Sequence, residues 1–412
     1  MFKSSYRVSF VTAVLPTSTA GDTLNALVED EHVNALVAKA RGTLLHEHWW
    51  KAWVPPISPT KTKVQLLVPD QDLDRVLGLI VEHGKLHMQA SGAVFSHSAD
   101  SAYIGTKCHL ISPDQIPPPQ THRHEMKSNL HAIFCVVSHS ASDKVAKAAI
   151  SAGAHGPVVY FTEGHGLRDR LGWLRITKEN EQEVLMIIAD DSDFEVIFDA
   201  MAKAGELHLP GRGFMYSLDI NKGMFNLPSR LSQQQFGANM QQIIHAIDHL
   251  SGHTHWRDQA VFKLGEDKLA LEAASAKHRD VCVPDQRCLT VVVDRDSTQL
   301  AMDLLLDAGA PGLNLSYARL LGYENRHLAH GQLDEEYAVM HCILPPHKAQ
   351  VVSQAIEEHA AAAGLHDLCA LNQHAPLCAN YIPGKKEHRT GRPANIRPDN
   401  TEQTAPVIQF DI

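Results

Sequence analysis

The sequence lacks the features that would place the protein in a membrane or in an oxidising compartment. No run approaches the ~18–20 consecutive apolar residues of a transmembrane helix. The opening stretch, MFKSSYRVSFVTAVLP, has a short apolar segment broken by Ser and Thr and no small-residue cleavage site, so we expect no signal peptide. The seven cysteines form no CxxC pair and stand in apolar settings, which favours reduced thiols over disulfides or a zinc site. We therefore expect a cytoplasmic protein.

The sequence also lacks the short motifs of common enzyme classes. It has no nucleophile elbow, Walker loop, HExxH pair or Rossmann glycine fingerprint. Asp and Glu number 47 against 37 Lys and Arg, and the net charge is -10. A negative surface disfavours binding to nucleic acid and anionic lipid, although it is compatible with a local basic site for a phosphate. We expect neither an enzyme nor a nucleic-acid-binding protein.

Histidine is abundant, with 27 residues, and it forms three HxH triplets. In a β-strand the two rings of such a triplet lie on one face and can chelate a metal ion. A chain this rich in histidine also produces triplets by chance. We therefore assign no metal ligand, and a metal-binding role stays open as an alternative. The triplets are His46/His48, His122/His124 and His253/His255.

The chain contains an internal repeat. Residues 65–105 align with residues 186–223 without a gap, as expected of duplicated units. In both segments apolar residues recur at the i, i+3, i+4, i+7 spacing of an amphipathic helix, and a glycine, Gly84 or Gly205, follows at the position of a helix C-cap. A third, more divergent copy covers residues 339–382. The matched helix positions are Leu73, Val76, Leu77 and Ile80 in the first copy and Phe194, Ile197, Phe198 and Met201 in the second.

Each copy is preceded by a further predicted strand, helix and strand, so that each unit has the order β-α-β-β-α-β. This is the order of a ferredoxin-like domain, in which two helices cover one face of a four-stranded antiparallel sheet. The other face of each sheet needs a partner, and three units in one chain can bury these open faces against one another. We therefore predict an α+β fold of three tandem ferredoxin-like (βαββαβ) domains arranged as a pseudo-trimer.

The predicted units and the segments between them divide the chain into six parts. The stretch PDQIPPPQTHRHEMKS is Pro-rich and polar, as in a linker. The C-terminal stretch is basic and polar and contains proline, which is typical of a draped or disordered tail. The predicted parts are domain 1 (residues 1–112), a Pro-rich linker (113–128), domain 2 (129–226), a helical insertion or linker (227–284), domain 3 (285–384) and a C-terminal tail (385–412).

Two runs of the second unit resemble PII-like signal-transduction proteins. GELHLPGRGFMYS (205–217) is similar to the turn and last strand of that family, where a glycine-rich turn wraps the phosphates of an adenine nucleotide. TEGHGLR (162–168) resembles the start of the family's T-loop, which lines the same cleft. The resemblance implies that ATP, ADP or AMP binds in an inter-domain cleft. The ligand-binding residues that it implies are Gly164, His165, Gly166, Arg168, His208, Gly211, Arg212 and Gly213.

The chemistry of these residues is compatible with a phosphate site. Glycines let backbone N–H groups approach an anion, and Arg212 adds an always-charged planar donor. The run PGRG (210–213) is also a good tight turn that requires no ligand. The other units depart from the pattern, because QASG (89–92) has no cation and LCALN (368–372) has no glycine. We therefore expect one working cleft, formed by the second unit and a neighbour.

These features together predict a regulatory PII-like protein that senses a small anionic ligand or an adenine nucleotide and acts through a protein partner, such as a transporter or an enzyme. We expect a monomer, because a pseudo-trimer has already buried its open sheet faces. Two alternatives stay open. One is a metal-binding or metal-tolerance protein like the CutA group, which would use the His-rich surface. The other is a scaffold that binds no ligand.

Overall fold

Strands dominate the part of the chain that the structure describes. The structure is a computed structural model, and it describes residues 7–29, 34–42, 60–88, 92–106, 108, 126–166, 181–226, 250, 282–321 and 336–380. These ranges contain fourteen named strands and six named helices, and the helices have between 10 and 14 residues. None of these helices is long and apolar enough to cross a membrane.

The order strand, helix, strand, strand, helix, strand occurs three times among the described elements, and one extra strand follows each of the first two sets. The first set is β1 (Val8–Pro16), α1 (Thr17–Glu29), β2 (Ala35–Gly42), β3 (Thr60–Pro69), α2 (Leu73–His83) and β4 (Gly92–Ser98), followed by β5 (Ser101–Ile104). The second set is β6 (Leu130–Ser138), α3 (His139–Ser151), β7 (His155–Gly166), β8 (Glu181–Asp190), α4 (Asp191–Ala204) and β9 (Gly213–Ile220), followed by β10 (Lys222–Asn226). The third set is β11 (Cys282–Asp294), α5 (Thr298–Asp307), β12 (Gly312–Leu321), β13 (Glu336–Leu344), α6 (Pro346–His359) and β14 (Cys369–Asn380).

Local sequence patterns explain these elements. The predicted apolar faces of α2 and α4 are confirmed, since all eight matched positions are buried against the sheet. Asp191 and Asp193 lie in the first turn of α4, where their charge complements the helix dipole. Strands β6 and β8 are rich in β-branched and other apolar residues and are buried on both faces over most of their length.

All fourteen strands belong to one sheet, and the named strand pairs are antiparallel. Nine strands close into a barrel in the order β2, β12, β13, β11, β14, β9, β6, β8 and β7, with β7 pairing back to β2. The ring closes where Arg41 and Gly42 of β2 pair with Val159 and Val158 of β7. The remaining strands extend this barrel, because β3, β1, β4 and β10 continue in order from β2, and β5 pairs with β14.

The prediction of an α+β fold made of three tandem ferredoxin-like domains arranged as a pseudo-trimer is therefore wrong. The structure has a closed nine-stranded antiparallel barrel with five additional strands, and the described helices are few and short. The physical reason lies in the sheet edges. An edge strand presents unpaired N–H and C=O groups, and pairing with a strand of another set satisfies them. Such pairs, β2 with β12, β7 with β12, β9 with β14 and β4 with β10, merge the three sets into one sheet.

The predicted domain boundaries stay a prediction. The segments assigned to the linker (113–128), the insertion (227–284) and the tail (385–412) fall almost wholly outside the described residues. Residues at the C-terminal ends of the predicted linker and insertion are described, and they pair with the sheet. Cys282, for example, already belongs to β11 and pairs with Ala379 of β14.

The two faces of the sheet have different cores. The helix-covered face has three apolar clusters, under α1 and α2, under α3 and α4, and under α5 and α6. The opposite, inner face contributes to a central core that combines side chains from all three sets. Its members include Val14, Ala93 and Phe95 of the first set, Phe134, Tyr160 and Tyr216 of the second, and Cys288, Ala375 and Cys378 of the third.

An ion pair braces the point where the barrel closes. Arg41 Nη2 of β2 donates to both carboxylate oxygens of Glu183 on β8, at 2.9 Å each. His139 Nδ1 donates to Glu183 Oε1 at 2.9 Å. The Glu183 side chain is fully buried. Burial alone would raise the pKa of Glu183, but the hydrogen bonds from Ser142, His139 and Arg41 outweigh it and lower that pKa.

We expect Glu183→Gln to lower the free energy of unfolding by about 2–3 kcal/mol, because it leaves the half-buried Arg41 guanidinium without its counter-charge. Urea unfolding at pH 7 measures the loss. Glu181→Gln, on the same strand but exposed, is the matched control and should stay within ~0.5 kcal/mol of the wild type. Equal stability of the two variants would show that the ion pair does not brace the closure.

Candidate functional site

The residues that the PII-like resemblance singled out lie at two separate places. Gly164, His165 and Gly166 end strand β7 and pair with β12. His208 and Gly211 lie in the turn between α4 and β9, and Arg212 directly precedes β9. Within this set the strand order is β9-β6-β8-β7, so three strand spacings, about 14 Å, separate the two groups. The structure does not bring them together within the second set, and Arg168 lies outside the described residues.

The backbone explains one glycine of the turn without a ligand. Gly213 has φ +126°, and a Cβ placed there would lie 2.0 Å from the carbonyl oxygen of Val136. Gly92, its counterpart in the first set, has φ +122° and would bring a Cβ within 2.1 Å of the Val14 carbonyl oxygen. The close approach of two strands therefore requires glycine at both places. This accounts for the match between the repeats at that position.

Charges in the same turn neutralise one another. Arg212 Nη2 lies 3.3 Å from Glu206 Oε2, and Lys144 Nζ of α3 lies 3.1 Å from Glu206 Oε1. Lys144, and after it Arg212, lower the pKa of the Glu206 carboxyl. All three side chains are exposed. A phosphate bound here would have to compete with Glu206 for both cations.

The described residues offer no metal centre. No group of three or more His, Cys, Asp or Glu residues in the described ranges could hold a metal ion. The HxH triplets at 46/48, 122/124 and 253/255 all lie outside those ranges. The alternative of a metal-binding protein therefore gains no support from the described part of the chain.

A polar cluster inside the central core was missed by the sequence interpretation. On strand β3 the apolar residues Val64, Leu66 and Val68 pack under the helices, so the alternate residues face inward. These inward residues include Lys61, Lys63 and Gln65, all buried. We call the inner group the central polar cluster. Its members are Lys63, Gln65, His97, Thr290, His341 and Gln373.

Lys63 is the only member of the cluster whose ordinary form is cationic at pH 7. Its side chain is 2% exposed, and its Nζ lies 3.8 Å from the centroid of the Tyr160 ring. Within the described ranges, Lys63 makes no hydrogen bond and no ion pair with a carboxylate. Burial therefore lowers the pKa of Lys63 to about 7.

His341 lies beside Lys63 and is held by a hydrogen-bonded chain. Thr290 Oγ1 donates its single proton to Gln373 Oε1 at 2.9 Å, so it can only accept from His341 Nδ1, at 3.1 Å. The neutral ring therefore keeps a lone pair on Nε2. Burial, with the electrostatic influence of Lys63 and His97 as further causes, lowers the pKa of His341 to about 3.

His97 approaches the cluster from strand β4. Its Nδ1 lies 2.8 Å from the carbonyl oxygen of Asp219, which can only accept, so Nδ1 carries the proton. Burial, partly offset by Asp219, lowers the pKa of His97 to about 4 and keeps the ring neutral. The ring packs edge-on against Phe95 and Phe134, at centroid distances of 5.2 and 6.3 Å. Phe134 in turn stacks on Tyr216, whose ring centroid is 6.5 Å from that of His341.

Three atoms of the cluster have no hydrogen-bond partner among the described residues. They are Gln65 Oε1, His97 Nε2 and Gln373 Nε2, on side chains that are 4%, 2% and 1% exposed. A buried polar atom without a partner costs about 1–3 kcal/mol. Such atoms are rare among the buried polar atoms of folded proteins. The cluster therefore contains both donors and acceptors that lack a partner among the described residues.

The comparisons with known proteins identify no family. No family model matches the chain, and no curated protein matches it. The PII-like interpretation therefore has no support from a related sequence, and the barrel departs from the fold that it implied.

The pKa of Lys63 predicts how stability depends on pH. The folded pKa, about 7, lies below the ordinary 10.5, so folding is penalised most fully below pH 7 and the penalty fades as pH rises towards 10.5. We expect Lys63→Met to be more stable than the wild type by roughly 3–4 kcal/mol at pH 7. The difference should shrink by about 1 kcal/mol per pH unit between pH 7 and 9.

Urea unfolding at several pH values tests this expectation. Lys39→Met is the control, because Lys39 is exposed on the neighbouring strand β2 and pairs with Thr62 beside Lys63. It should change the free energy of unfolding by no more than ~0.5 kcal/mol at any pH. A Lys63→Met variant that is less stable than the wild type at pH 7 would contradict the account of an unpaired buried cation.

Proposed function

We propose that the protein is a regulatory protein that binds a small anionic ligand at the central polar cluster and passes the signal to a protein partner. The observation that carries the proposal is Lys63, a buried cation without a counter-ion in the described ranges. His341, whose pKa the charge of Lys63 helps to lower, is linked through Thr290 to Gln373.

A bound anion would offset the cost of burying the Lys63 ammonium group without a counter-charge. A negative group near Lys63 favours the ammonium form and replaces the water that the amine lost on folding. A charge-assisted hydrogen bond contributes about 1.5–3 kcal/mol, more than a neutral one. Gln373 Nε2 is a further donor of the cluster that has no partner among the described residues. Inorganic cations and cationic ligands are disfavoured, because they would meet Lys63 without a compensating carboxylate.

The proposed regulatory role is taken over from the interpretation of the sequence. Regulation of an enzyme or a transporter through direct contact follows from that interpretation alone, and we assign no reaction to the protein. A cytoplasmic location is supported by the seven cysteines, all in described ranges, which form no disulfide.

The turn between α4 and β9 is a second candidate site for the same function. Gly211 has φ +75° and Gly213 has φ +126°, and Lys144 and Arg212 lie beside them. An adenine nucleotide with several phosphate charges could displace Glu206 there, whereas a single carboxylate would gain little at an exposed site. The two sites therefore differ in the ligand that they favour.

We expect at least one small anion to raise the melting temperature of the wild type by several degrees, because a ligand at about 100 times its Kd adds ~2.7 kcal/mol of stability. The panel contains acetate, bicarbonate, phosphate, AMP, ADP and ATP at constant ionic strength. Lys63→Met should lose the shift, since it removes the cation, whereas Arg212→Ala and Lys39→Met should keep it. Isothermal titration calorimetry confirms the Kd of each anion that gives a shift.

Two other results of the anion panel would overturn part or all of the proposal. A shift that survives in Lys63→Met and disappears in Arg212→Ala would move the site to the turn and overturn the proposal for the central polar cluster. The absence of any anion-dependent shift in the wild type would overturn the anion-binding function itself.

The affinity should also depend on pH. Only the ammonium form of Lys63 attracts an anion, and its pKa in the ligand-free protein is about 7. Acetate keeps its charge above pH 6, so its Kd should be nearly constant from pH 6 to 7 and should weaken about tenfold per unit above pH 7. Calorimetry at pH 6, 7, 8 and 9 measures this slope. A Kd that does not change between pH 7 and 9 would exclude Lys63 as the binding cation.

A further inference from the structure

We infer that Asp219 is the centre of a pH-sensitive junction that holds strand β9 against strands β4, β6 and β14. Three histidines, one from each of the three sets, converge on this residue. They are His97 of β4, His131 of β6 and His374 of β14. The junction is independent of the proposed anion binding, and its test needs no ligand.

The seam between β9 and β14 has a short backbone ladder. Its paired residues are Phe214 with Asn380, Met215 with Ala379, and Tyr216 with Cys378. Further along β9, the polar contacts with β14 that the structure describes are made by side chains. Ser217 Oγ donates to the carbonyl oxygen of Leu377 at 3.1 Å, and Asp219 Oδ2 lies 3.6 Å from His374 Nδ1. On its other side, by contrast, β9 pairs with β6 over all of its 8 residues. Side-chain contacts therefore matter most on the β14 side.

Asp219 contacts its three histidines through different groups. Its backbone carbonyl oxygen accepts from Nδ1 of the buried His97 at 2.8 Å. Its carboxylate lies between the other two rings, with Oδ1 3.0 Å from His131 Nδ1 and Oδ2 facing His374. A change in the position of Asp219 therefore alters contacts with all three sets.

His131 is the group of the junction whose charge changes near neutral pH. Its Nε2 lies 3.0 Å from Asp191 Oδ1, so each ring nitrogen faces a carboxylate oxygen. An ionised carboxylate can only accept, and only the imidazolium carries a proton on both nitrogens. Burial alone would lower the pKa of His131, but the contacts with Asp219 and Asp191 outweigh it and raise that pKa. The Phe194 ring stacks on His131 at a centroid distance of 4.3 Å and supports it in this position.

The other charged groups around the junction lie in pairs of opposite sign. On β11, Asp285 Oδ1 lies 3.3 Å from His374 Nε2, while Arg287 pairs in register with His374. The pairs are His374 with Asp285, Arg287 with Asp100 at 3.2 Å, and Lys127 with Asp190 at 3.4 Å. Of the described charged groups, those that contact the His131 ring are therefore both anions.

The direction of the pH dependence follows from the two ionisations. The folded pKa of His131 is raised, so its stabilisation is complete below the ordinary 6.5 and is lost as pH rises through the folded value. The hydrogen bond from His131 lowers the pKa of Asp219, so its stabilisation is complete above the ordinary 3.8 and is lost as pH falls through the folded value. The junction is therefore strongest between about pH 4 and 6.5 and weakens at higher pH. Lys63 has the opposite effect on stability above pH 7.

Proton magnetic resonance of the histidine rings tests the charge of the junction. His131→Gln assigns the signal, and we expect the ring in the wild type to titrate above pH 6.5. In Asp219→Asn, which keeps the shape but removes the charge, the midpoint should fall, because one of two carboxylates is gone. His359→Gln changes an exposed ring on α6 and is the matched control, so it should leave the His131 midpoint unchanged.

Hydrogen exchange tests whether this charge holds the seam. After correction for the intrinsic rate, the amides of residues 217–220 should be roughly twofold to fivefold better protected at pH 6 than at pH 8. The amides of β13, which pairs with β11 and β12, are the internal reference for changes in global stability. The difference should vanish in Asp219→Asn and in His131→Gln and should remain in His359→Gln.

The wild type alone can overturn the inference, so the test survives a variant that fails to fold. A His131 ring that titrates at or below pH 6.5 would show that the two carboxylates do not hold the imidazolium. Protection of residues 217–220 that is equal at pH 6 and 8, relative to β13, would show that the charge does not hold β9. A pH-dependent difference that persists unchanged in Asp219→Asn would assign it to another group and overturn the role of Asp219.

Discussion

The structure depends on the closure of the barrel at strand β7. This strand pairs with β8 along its own repeat, and it also reaches β2 of the first set and β12 of the third. The closure satisfies edge groups that three separate sheets would leave open, and it turns the inner face of the sheet away from water. An ion pair between Arg41 and Glu183, which are 142 residues apart in the sequence, stabilises the barrel at this closure. The central core exists because this closure excludes solvent.

Exclusion of water gives the central polar cluster its chemistry. Burial keeps His97, His341 and Tyr160 in their neutral forms near pH 7, because it lowers the pKa of each imidazole and raises that of the phenol. Lys63 is then the group of the cluster that changes charge in the physiological range. A site of this kind responds to an anion through the charge of that group. Recognition and protonation are therefore coupled at one side chain.

Local patterns in the sequence were sufficient for the order of helices and strands within each set but not for their assembly. The bounds were less accurate, because a helix was expected over residues 23–40, whereas α1 ends at Glu29 and Ala35–Gly42 is strand β2. The apolar stripes of α2 and α4 could be read from their spacing, because a helix face depends on neighbours three and four residues apart. The pairing of β2 with β7 and β12 joins distant residues, and no periodicity encodes it. Gly213 was interpreted as part of a phosphate-binding turn, whereas a nearby carbonyl oxygen already requires glycine there. Lys63 and Gln65 alternate with Val64 and Leu66, a pattern that normally indicates a solvent-facing side, and only the closed sheet shows that this side is interior.

The ionisation of Lys63 tests the central claim most directly. Nuclear magnetic resonance of ¹³C-labelled lysine side chains, assigned with the Lys63→Met variant, follows this one amine through a pH titration. The account predicts a pKa of about 7 for Lys63 in the ligand-free protein and an increase of about one unit or more when a bound anion saturates the site. A pKa near 10.5 in the ligand-free protein, or one that a saturating anion leaves unchanged, would contradict it.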